Sequence, residues 1–585
     1  MAINQHSLDR QLHMSAEARG VLPIYAVAVA GFLLYLCAIW LCSNLQYYPG
    51  LDTVIYVYRQ DRWLLLVETG LLLLASIGLR DRFHKLELSR AALVFLAIAA
   101  IALCWLGHKW ILCGYDASRD EQMAVFDTRI FASGRLAQPL PPAWQAHADA
   151  LRTVFMLPVL HPVAWVSSYL PMNAMLRAAI GLAGDPTLTG PLMVALGMFA
   201  LWKCARILWP DEREAAIVAL LLYVGSGQVL FAGMTAYAMP AHLALDLVWL
   251  WLFLLDRRGA DVAALLVGFV ATGLHQPLFH PLFAVPILFT LLLPERNWPR
   301  IVLYAAGYAA ICGFWLAWPA WMSALATGPD SSAVANGTSY FVRLVKALSK
   351  GDPMRWQGMG ANLLRFFAWQ HPLFLPLLAS AGFVLRRNRY AIAFAASLIL
   401  PVCVMAAILP WQGHGFGYRY LHGVIGVGIL LAVYGWRFLA ERCGWLRPLF
   451  LRMTVAGLVL LLPLQAWMAY SFYAPFAHID QRITASGADY FITGTGDAPF
   501  SHDLVINRPD LSNRPLRLLG EKLDNQLIQE ICHPGVRVLM PTSAAYRPIE
   551  EYFDLKPLAI ADQRIASLSP RLIAAGCTVD RLDGP

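Results

Sequence analysis

The chain has 585 residues, of which 58% are hydrophobic and 14% are charged. Soluble domains carry about 25% charged residues, so this composition excludes an ordinary soluble protein and indicates a polytopic membrane protein. The net charge of +8 does not indicate nucleic-acid binding, because the basic residues lie in short clusters between apolar segments.

Thirteen apolar segments are interpreted as membrane spans, for which about 20 residues are needed. Their predicted positions are 21–43, 62–79, 91–112, 187–208, 214–232, 238–255, 260–275, 277–294, 300–323, 372–386, 390–409, 421–440 and 450–471. If every segment crosses once, the basic clusters fall on one side, which the positive-inside rule makes cytoplasmic. The N-terminus is therefore predicted to be cytoplasmic and the C-terminus to lie outside.

This topology predicts an all-α polytopic membrane protein with about 13 transmembrane helices. The apolar stretch from 156 to 182, which Pro158, Pro162 and Pro171 interrupt, is predicted to form helices on the outer membrane surface.

The transmembrane domain is predicted over 1–471. A small soluble α/β domain is predicted over 472–585 on the outer, periplasmic face, where a strand-like run lies at 536–540. An oxidising outer compartment would allow Cys532 and Cys577 to form a disulfide, although the sequence does not decide whether they do.

An acidic pair, Asp120 and Glu121, opens the first outer segment in the stretch DEQMAVFDTRIFASGRL. Acidic residues in the first turn and Gly134 at the end predict a helix, in which Asp120 and Asp127 lie on one face. A carboxylate at the membrane surface could take the proton from an acceptor hydroxyl. The alternative is a helix N-terminus that carries acidic residues for stability alone.

The outer loop before the twelfth segment contains the sequence GYRY, with Tyr418 and Arg419 at its centre. An arginine can bind a phosphate through two parallel hydrogen bonds, and flanking aromatic residues suit the membrane interface. Both residues are therefore candidates for binding a phosphate. The alternative is an aromatic belt from which the arginine reaches the interface.

Two histidines, His275 and His280, lie in the predicted outer turn GLHQPLFHP. Together with His414, His422 or Glu121 they could bind a divalent metal, since imidazole and carboxylate are common ligands. The alternative is a set of interfacial histidines that only form hydrogen bonds.

The order of these elements resembles the GT-C superfamily of glycosyltransferases, in the branch of protein O-mannosyltransferases and bacterial aminoarabinose transferases. The Asp-Glu loop, the stretch Tyr169 to Pro171 and the late element GFGYRYLH carry the resemblance, which covers residues 91–440. The family usually places its acidic pair after the first span, so the resemblance implies an added N-terminal hairpin of spans at 21–90. Gln122 and Met123 stand where the family often has an aromatic residue.

The resemblance implies a membrane glycosyltransferase that uses a polyprenyl-phosphate sugar donor. The sugar would pass, with inversion, to a lipid, an envelope glycan or a protein on the outer face. Asp120 would act as the base with Glu121 as its neighbour in the catalytic site, and Arg419 with Tyr418 would bind the donor phosphate. Because some relatives hold a metal through a carboxylate and a histidine, the resemblance also admits a divalent metal near the two histidines of the predicted outer turn.

Two other classes of protein remain open from the sequence. A transporter or flippase for lipid-linked sugars predicts inverted repeats and a polar site at the membrane midplane. Asp246 is an ionisable residue in the sixth segment, but the sequence identifies no partner for it, and a transporter is expected to hold several such groups. The third class is a scaffold without catalysis. A transferase instead predicts that Asp120 and Arg419 face each other at an outer cavity.

Overall fold

The computed structural model describes residues 26–41, 52–79, 85–151, 155–157, 159, 162–327 and 354–584. The described part of the chain is largely helical. Its α-helices are α1 (Ala26–Leu41), α2 (Asp52–Tyr56), α3 (Arg62–Ser76), α4 (Arg90–Trp110), α5 (Arg119–Ala132), α6 (Pro142–Gln145), α7 (Met172–Leu182), α8 (Thr189–Leu208), α9 (Arg213–Val224), α10 (Gly227–Gly233), α11 (Met239–Leu254), α12 (Arg258–Thr272), α13 (Phe279–Glu295), α14 (Trp298–Thr327), α15 (Arg355–Ala368), α16 (Phe374–Ser380), α17 (Gly382–Leu385), α18 (Arg389–Ile408), α19 (Ile425–Ala440), α20 (Leu446–Ala456), α21 (Leu462–Ala485), α22 (Asn525–Ile531), α23 (Ser543–Tyr552) and α24 (Ile560–Ala574).

Shorter elements connect these helices. The strands are β1 (Gln138–Pro139), β2 (Ala164–Trp165), β3 (Tyr490–Thr493), β4 (Leu516–Leu519), β5 (Arg537–Pro541) and β6 (Thr578–Leu582). Short 3-10 or π-helical segments lie at Val57–Asp61, Ala148–Leu151, Pro186–Leu188, Arg419–Val424, Gly457–Leu461, Ser501–Leu504 and Gly520–Lys522.

Six helical runs among the described residues are long and apolar enough to cross a membrane, or seven if one bent pair counts as a span. The six are Arg90–Trp110, Pro186–Leu208, Trp298–Thr327, Arg389–Ile408, Arg419–Ala440 and Leu446–Ala485. The chain is thus an integral, multi-pass membrane protein. The predicted count of 13 spans is not confirmed.

Breaks within apolar runs account for part of the difference in the count, and short apolar helices such as Met239–Leu254 account for more of it. The predicted span at 214–232 consists of α9 and α10, which meet at an angle of 59°. The side chain of Ser226 caps the start of α10 by accepting a hydrogen bond from the backbone N–H of Val229, so a new helix begins while the apolar run continues. The predicted span at 372–386 is likewise divided into α16 and α17. Hydropathy measures the length of a run and does not detect such a bend.

The predicted helix of the acidic pair is confirmed as α5. The Ser118 side chain accepts a hydrogen bond from the backbone N–H of Glu121, and the Glu121 side chain accepts one from the backbone N–H of Ser118. This reciprocal capping box satisfies two backbone donors at the helix start. The helix ends just before Gly134, whose φ of 73° lies in the left-handed region that glycine adopts readily.

The rest of the first outer segment is less helical than predicted. The proline-broken stretch from 156 to 182 was expected to form surface helices, but its helix is α7, which starts after Pro171. Before α7, β2 pairs antiparallel with β1. Proline lacks an N–H and clashes with the preceding turn, so these prolines disfavour helix before α7 and favour a helix start after Pro171.

The tail forms a four-stranded parallel sheet in the order β4-β3-β5-β6, which agrees with the predicted α/β character. Cys532 and Cys577 form a disulfide. α21 runs to Ala485 and passes through the predicted domain boundary at 471. Buried residues of the sheet share one hydrophobic core with Ile130 of α5 and with Trp165 of β2. The tail therefore packs directly on the segment that carries the acidic pair.

Candidate functional site

Asp120 and Arg419 are 299 residues apart in sequence and lie in direct contact. Asp120 is in the first turn of α5, and Arg419 begins the short 3-10 turn that leads into α19. The Arg419 guanidinium donates a hydrogen bond to Asp120 Oδ2, and the Tyr169 hydroxyl donates one to Asp120 Oδ1. Both oxygens of the carboxylate are therefore engaged.

The surroundings of Asp120 keep it ionised. Burial would raise the pKa of Asp120, but the Arg419 guanidinium and the hydrogen bond from Tyr169 outweigh burial and lower the pKa below its ordinary value. The imidazole of His275 packs on the Tyr169 ring, with 4.2 Å between the ring centroids. Burial lowers the pKa of His275 to about 4. At neutral pH the cluster thus contains a carboxylate, a guanidinium and an uncharged imidazole.

Arg419 is held between two tyrosine rings. Its Cζ lies 5.4 Å from the ring centroid of Tyr237 and 5.3 Å from that of Tyr420, within the range of a cation–π contact. Its backbone N–H donates to Gln412 Oε1 over 2.8 Å. The side-chain Nε is buried and has no hydrogen-bond partner among the described residues. Arg419 therefore keeps one N–H donor for a ligand.

The contact between Asp120 and Arg419 separates two small cavities. Asp120 lines the first cavity, whose other polar lining residues are Asp127, Tyr169, Asn173, Tyr237 and His275. Arg419 lines the second cavity, together with His242, Asp246, Tyr420 and His422. Met239, at the start of α11, lines both. Asp120 and Asp127 thus face the same space, as the seven-residue spacing predicts, and burial raises the pKa of Asp127 to about 7.

Glu121 lines neither cavity and is 1% exposed. Besides its part in the capping box, its Oε2 accepts a hydrogen bond from the Tyr473 hydroxyl over 3.3 Å. The same hydroxyl is hydrogen-bonded to His414 Nε2 over 2.9 Å, and His414 belongs to the loop that carries Arg419. Glu121 therefore holds the start of α5 and connects it to the Arg419 loop. The geometry favours a positioning role for Glu121 over direct catalysis.

The Glu121 carboxyl is expected to make the stability of this region depend on pH. Burial, together with the nearby Asp116 carboxylate, raises the pKa of Glu121 from 4.5 to about 8. The folded protein then holds this proton more tightly than the unfolded chain, so the contribution to stability is full below pH 4.5 and is lost as the pH rises through about 8.

Glutamine cannot ionise but keeps the side-chain oxygen that the capping box requires. Glu121→Gln is therefore expected to fold and to lose less stability between about pH 5 and about pH 8.5 than the wild type does. The measurement is the melting temperature of both proteins at the two pH values. An equal loss in both proteins would contradict this account of Glu121.

Tyr418, which was predicted to bind the phosphate together with Arg419, is buried outside both cavities. It lines neither cavity and is 0% exposed, and its backbone carbonyl accepts a hydrogen bond from Gln228 Nε2 over 2.8 Å. The aromatic neighbours of the guanidinium are Tyr237 and Tyr420 instead. The predicted phosphate contact of Tyr418 gains no support from this geometry.

His275 and His280 do not face a common site. His275 is beside Tyr169, whereas His280 Nδ1 is 2.6 Å from Asp246 Oδ1 and His280 Nε2 is 2.7 Å from the Tyr308 hydroxyl. Both ring nitrogens of His280 are thus engaged. Within the described ranges, no group of three or more His, Cys, Asp and Glu side chains could hold a metal ion. The predicted divalent metal has no ligand set there.

Several residues of this region were not singled out from the sequence as site residues. Tyr169 lies in the YLP stretch, which served only as part of the resemblance, and it contacts Asp120 directly. Asp246 does have a partner, His280, which is 34 residues further along the chain. An ionisable residue in each of two apolar segments, the sixth and the eighth, is the signal that could have suggested that pair.

Comparison with known proteins found similar solved structures but no similar family model or curated protein. The structure of ArnT from Cupriavidus metallidurans bound to undecaprenyl phosphate is 14% identical, with a TM-score of 0.48 over 72% of this chain and 86% of that chain. The apo structure of the same protein is 14% identical, with a TM-score of 0.44 over 71% and 84% of the two chains.

Proposed function

We propose that this protein is a membrane glycosyltransferase of the GT-C type, with Asp120 as the catalytic base and Arg419 as the residue that binds the phosphate of a polyprenyl-phosphate sugar donor. The observation that carries the proposal is the contact between these two side chains. The same arrangement gives the site an acid–base group and an anion-binding group within reach of one substrate.

The proposed reaction is a single displacement with inversion at the anomeric carbon of the donor. The acceptor hydroxyl attacks that carbon as its proton passes to Asp120, and the bond between the carbon and the phosphate oxygen breaks. The phosphate leaves with the bonding electrons, and the Arg419 guanidinium stabilises its growing charge. A positioned carboxylate is needed because a hydroxyl is a weak nucleophile until its proton is removed.

The substrate-free geometry suggests how the donor prepares the base. Arg419 donates to one oxygen of Asp120 and Tyr169 donates to the other, so both oxygens already accept a hydrogen bond and the carboxylate is a weaker base. A bound phosphate would draw the guanidinium away from Asp120 through charge-assisted hydrogen bonds. One carboxylate oxygen would then be free to accept the proton, and its pKa would rise toward the ordinary value.

We place this site and the tail on the outer side of the membrane, with the N-terminus in the cytoplasm. The charge asymmetry of the loops supports this orientation, and the disulfide of the tail is suited to an oxidising compartment. The tail also contacts the catalytic helix, since Arg119 Nε donates to Asp503 Oδ1 over 3.0 Å. A lipid, an envelope glycan or a protein acceptor would approach between these two parts.

Arg419→Lys tests the proposal. Lysine keeps the positive charge but cannot form two parallel hydrogen bonds to a phosphate. The affinity for undecaprenyl phosphate is therefore expected to fall by roughly ten-fold to a hundred-fold, the effect of losing one charge-assisted hydrogen bond. Affinity is measured on the purified, detergent-solubilised protein. Transfer is measured with undecaprenyl-phosphate-linked hexoses and pentoses and a membrane extract as the source of acceptor.

Arg135→Lys is the matched control, because Arg135 is exposed in the segment that carries Asp120 and lines neither cavity. It is expected to bind the lipid as the wild type does. Unchanged affinity in Arg419→Lys would remove Arg419 from the donor site. Lipid binding by the wild type without transfer of any sugar would favour a transporter of lipid-linked sugars over the transferase.

A further inference from the structure

The second cavity, on the α11 side of Arg419, has two histidines in its wall that the proposed reaction does not use. His242 is in the first turn of α11, and His422 is in the turn that begins with Arg419. The cavity has room for a single water-sized group, with a volume of about 20 Å³. Asp246, one turn further along α11 than His242, also lines it.

The two imidazoles are buried, and three of their four ring nitrogens lack hydrogen-bond partners among the described residues. His242 is 4% exposed and His422 is 1% exposed. Neither ring nitrogen of His242, nor Nε2 of His422, has a partner in the part of the chain that the structure describes. Leaving a buried polar atom without a partner costs about 1–3 kcal/mol. Two such side chains at one cavity therefore indicate a ligand that completes their hydrogen bonds.

The backbone around the cavity preserves the space next to Asp246. A Cβ at Gly423 would lie 2.8 Å from Asp246 Oδ2 and 3.6 Å from the Cβ of His242, so a side chain at this position would press on the carboxylate. The other oxygen, Asp246 Oδ1, is fixed by His280. Asp246 Oδ1 is thus bonded to His280, whereas Asp246 Oδ2 faces the space that the missing side chain at Gly423 leaves open.

The chemistry of the lining selects the kind of group that fits. An imidazole nitrogen can donate or accept a hydrogen bond, and a carboxylate accepts one. A hydroxyl group does both and carries no charge. A phosphate is disfavoured next to Asp246 because both are anionic. The rings of Phe279 and Tyr420, whose centroids are 5.9 Å apart, complete the wall with apolar surface.

We infer that this cavity is the subsite for a hydroxyl group of the donor sugar, with His242, His422 and Asp246 as its hydrogen-bonding partners. The inference rests on the proposed function, because it is Arg419 that brings the glycosyl phosphate to the edge of the cavity. A sugar is attached directly to the phosphate, so a phosphate on Arg419 places the sugar next to these residues. The subsite then determines which sugar the protein accepts.

The test compares undecaprenyl phosphate with undecaprenyl phosphate that carries a hexose or a pentose. The wild type is expected to bind at least one glycosylated lipid about ten-fold more tightly than the sugarless lipid, the value of one or two hydrogen bonds. His242→Leu is expected to abolish this preference and to leave the affinity for the sugarless lipid unchanged. His242→Gln, whose side chain can still form hydrogen bonds, is expected to keep part of the preference for the glycosylated lipid.

His478→Leu is the matched control, since His478 is exposed on α21, and it is expected to keep the full preference. If His242→Leu does not fold, His422→Leu is tested in the same way. A preference that survives in the leucine variants would overturn the subsite. Equal affinity of the wild type for all the lipids would also overturn it but would leave the proposed function intact, whereas a wild type that binds none of them would refute the proposed function.

Discussion

Asp120→Asn is expected to reduce sugar transfer by about two to four orders of magnitude, the usual contribution of a positioned general base. Asparagine has nearly the same shape as aspartate and keeps one oxygen that can accept a hydrogen bond from Tyr169 or from Arg419. The variant should therefore fold and insert into the membrane. The measurement is the transfer rate per molecule of purified protein, with undecaprenyl-phosphate-linked sugars as donors.

The same variant should not lose its affinity for the donor. The introduced asparagine carries no charge to hold the guanidinium, so Arg419 would be free to bind a phosphate, and the affinity for undecaprenyl phosphate should be equal to or higher than that of the wild type. A loss of transfer without a loss of binding separates a missing base from a damaged site. A normal rate of sugar transfer in Asp120→Asn would show that Asp120 is not the base.

Asp127→Asn is the matched control for this prediction. Asp127 lies on the same face of α5 and lines the same cavity as Asp120, but it does not contact Arg419 among the interactions that the structure shows. Its replacement is expected to change transfer far less. If both variants lose transfer to the same extent, the effect belongs to the cavity as a whole and not to one base.

Arg365→Met is expected to lower the free energy of unfolding by about 3–5 kcal/mol, because it leaves a buried carboxylate without its counter-ion. Arg365 and Asp61 are both 0% exposed, and Arg365 Nε lies 3.0 Å from Asp61 Oδ2. Trp369 Nε1 donates to the other oxygen of Asp61 over 2.7 Å. The loss is measured by unfolding of the protein in mixed micelles.

The double variant, with Asp61→Asn added to Arg365→Met, separates the charge from the packing. Removing both charges should restore a large part of the stability, since the penalty for a lone buried charge disappears. A double variant that is as unstable as Arg365→Met alone would show that the lost packing of the arginine, and not the unpaired charge, is responsible.

The sequence was most informative about the acidic pair and its distant arginine. Asp120 and Arg419 were predicted to lie on one side of the membrane because the loops alternate in charge, and to face each other if the protein is a transferase. Their contact agrees with that expectation. The helix of the acidic pair was also predictable, since its capping residues and its terminal glycine are local signals.

The remaining polar contacts could not be read from the sequence. Tyr473 and Glu121 are 352 residues apart, and periodicity and hydropathy give no information about which distant side chains meet. The pairing of Asp246 with His280 was missed because His280 was assigned to an outer turn, whereas it is the second residue of α13. The roles predicted for Tyr418 and for the two histidines came from their position near the interface, which does not determine where a side chain points.

One long helical run, Leu446–Ala485, connects the membrane-spanning part of the chain to the tail. The run Leu446–Ala485 has 40 residues, and at about 1.5 Å per residue it is about 60 Å long, roughly twice the thickness of the hydrocarbon core. The run is therefore longer than a membrane crossing requires, and β3 begins only five residues after it ends. The tail is therefore joined to the membrane-spanning part by a continuous helical run and by a shared hydrophobic core, not by a flexible linker, so its position relative to α5 is fixed.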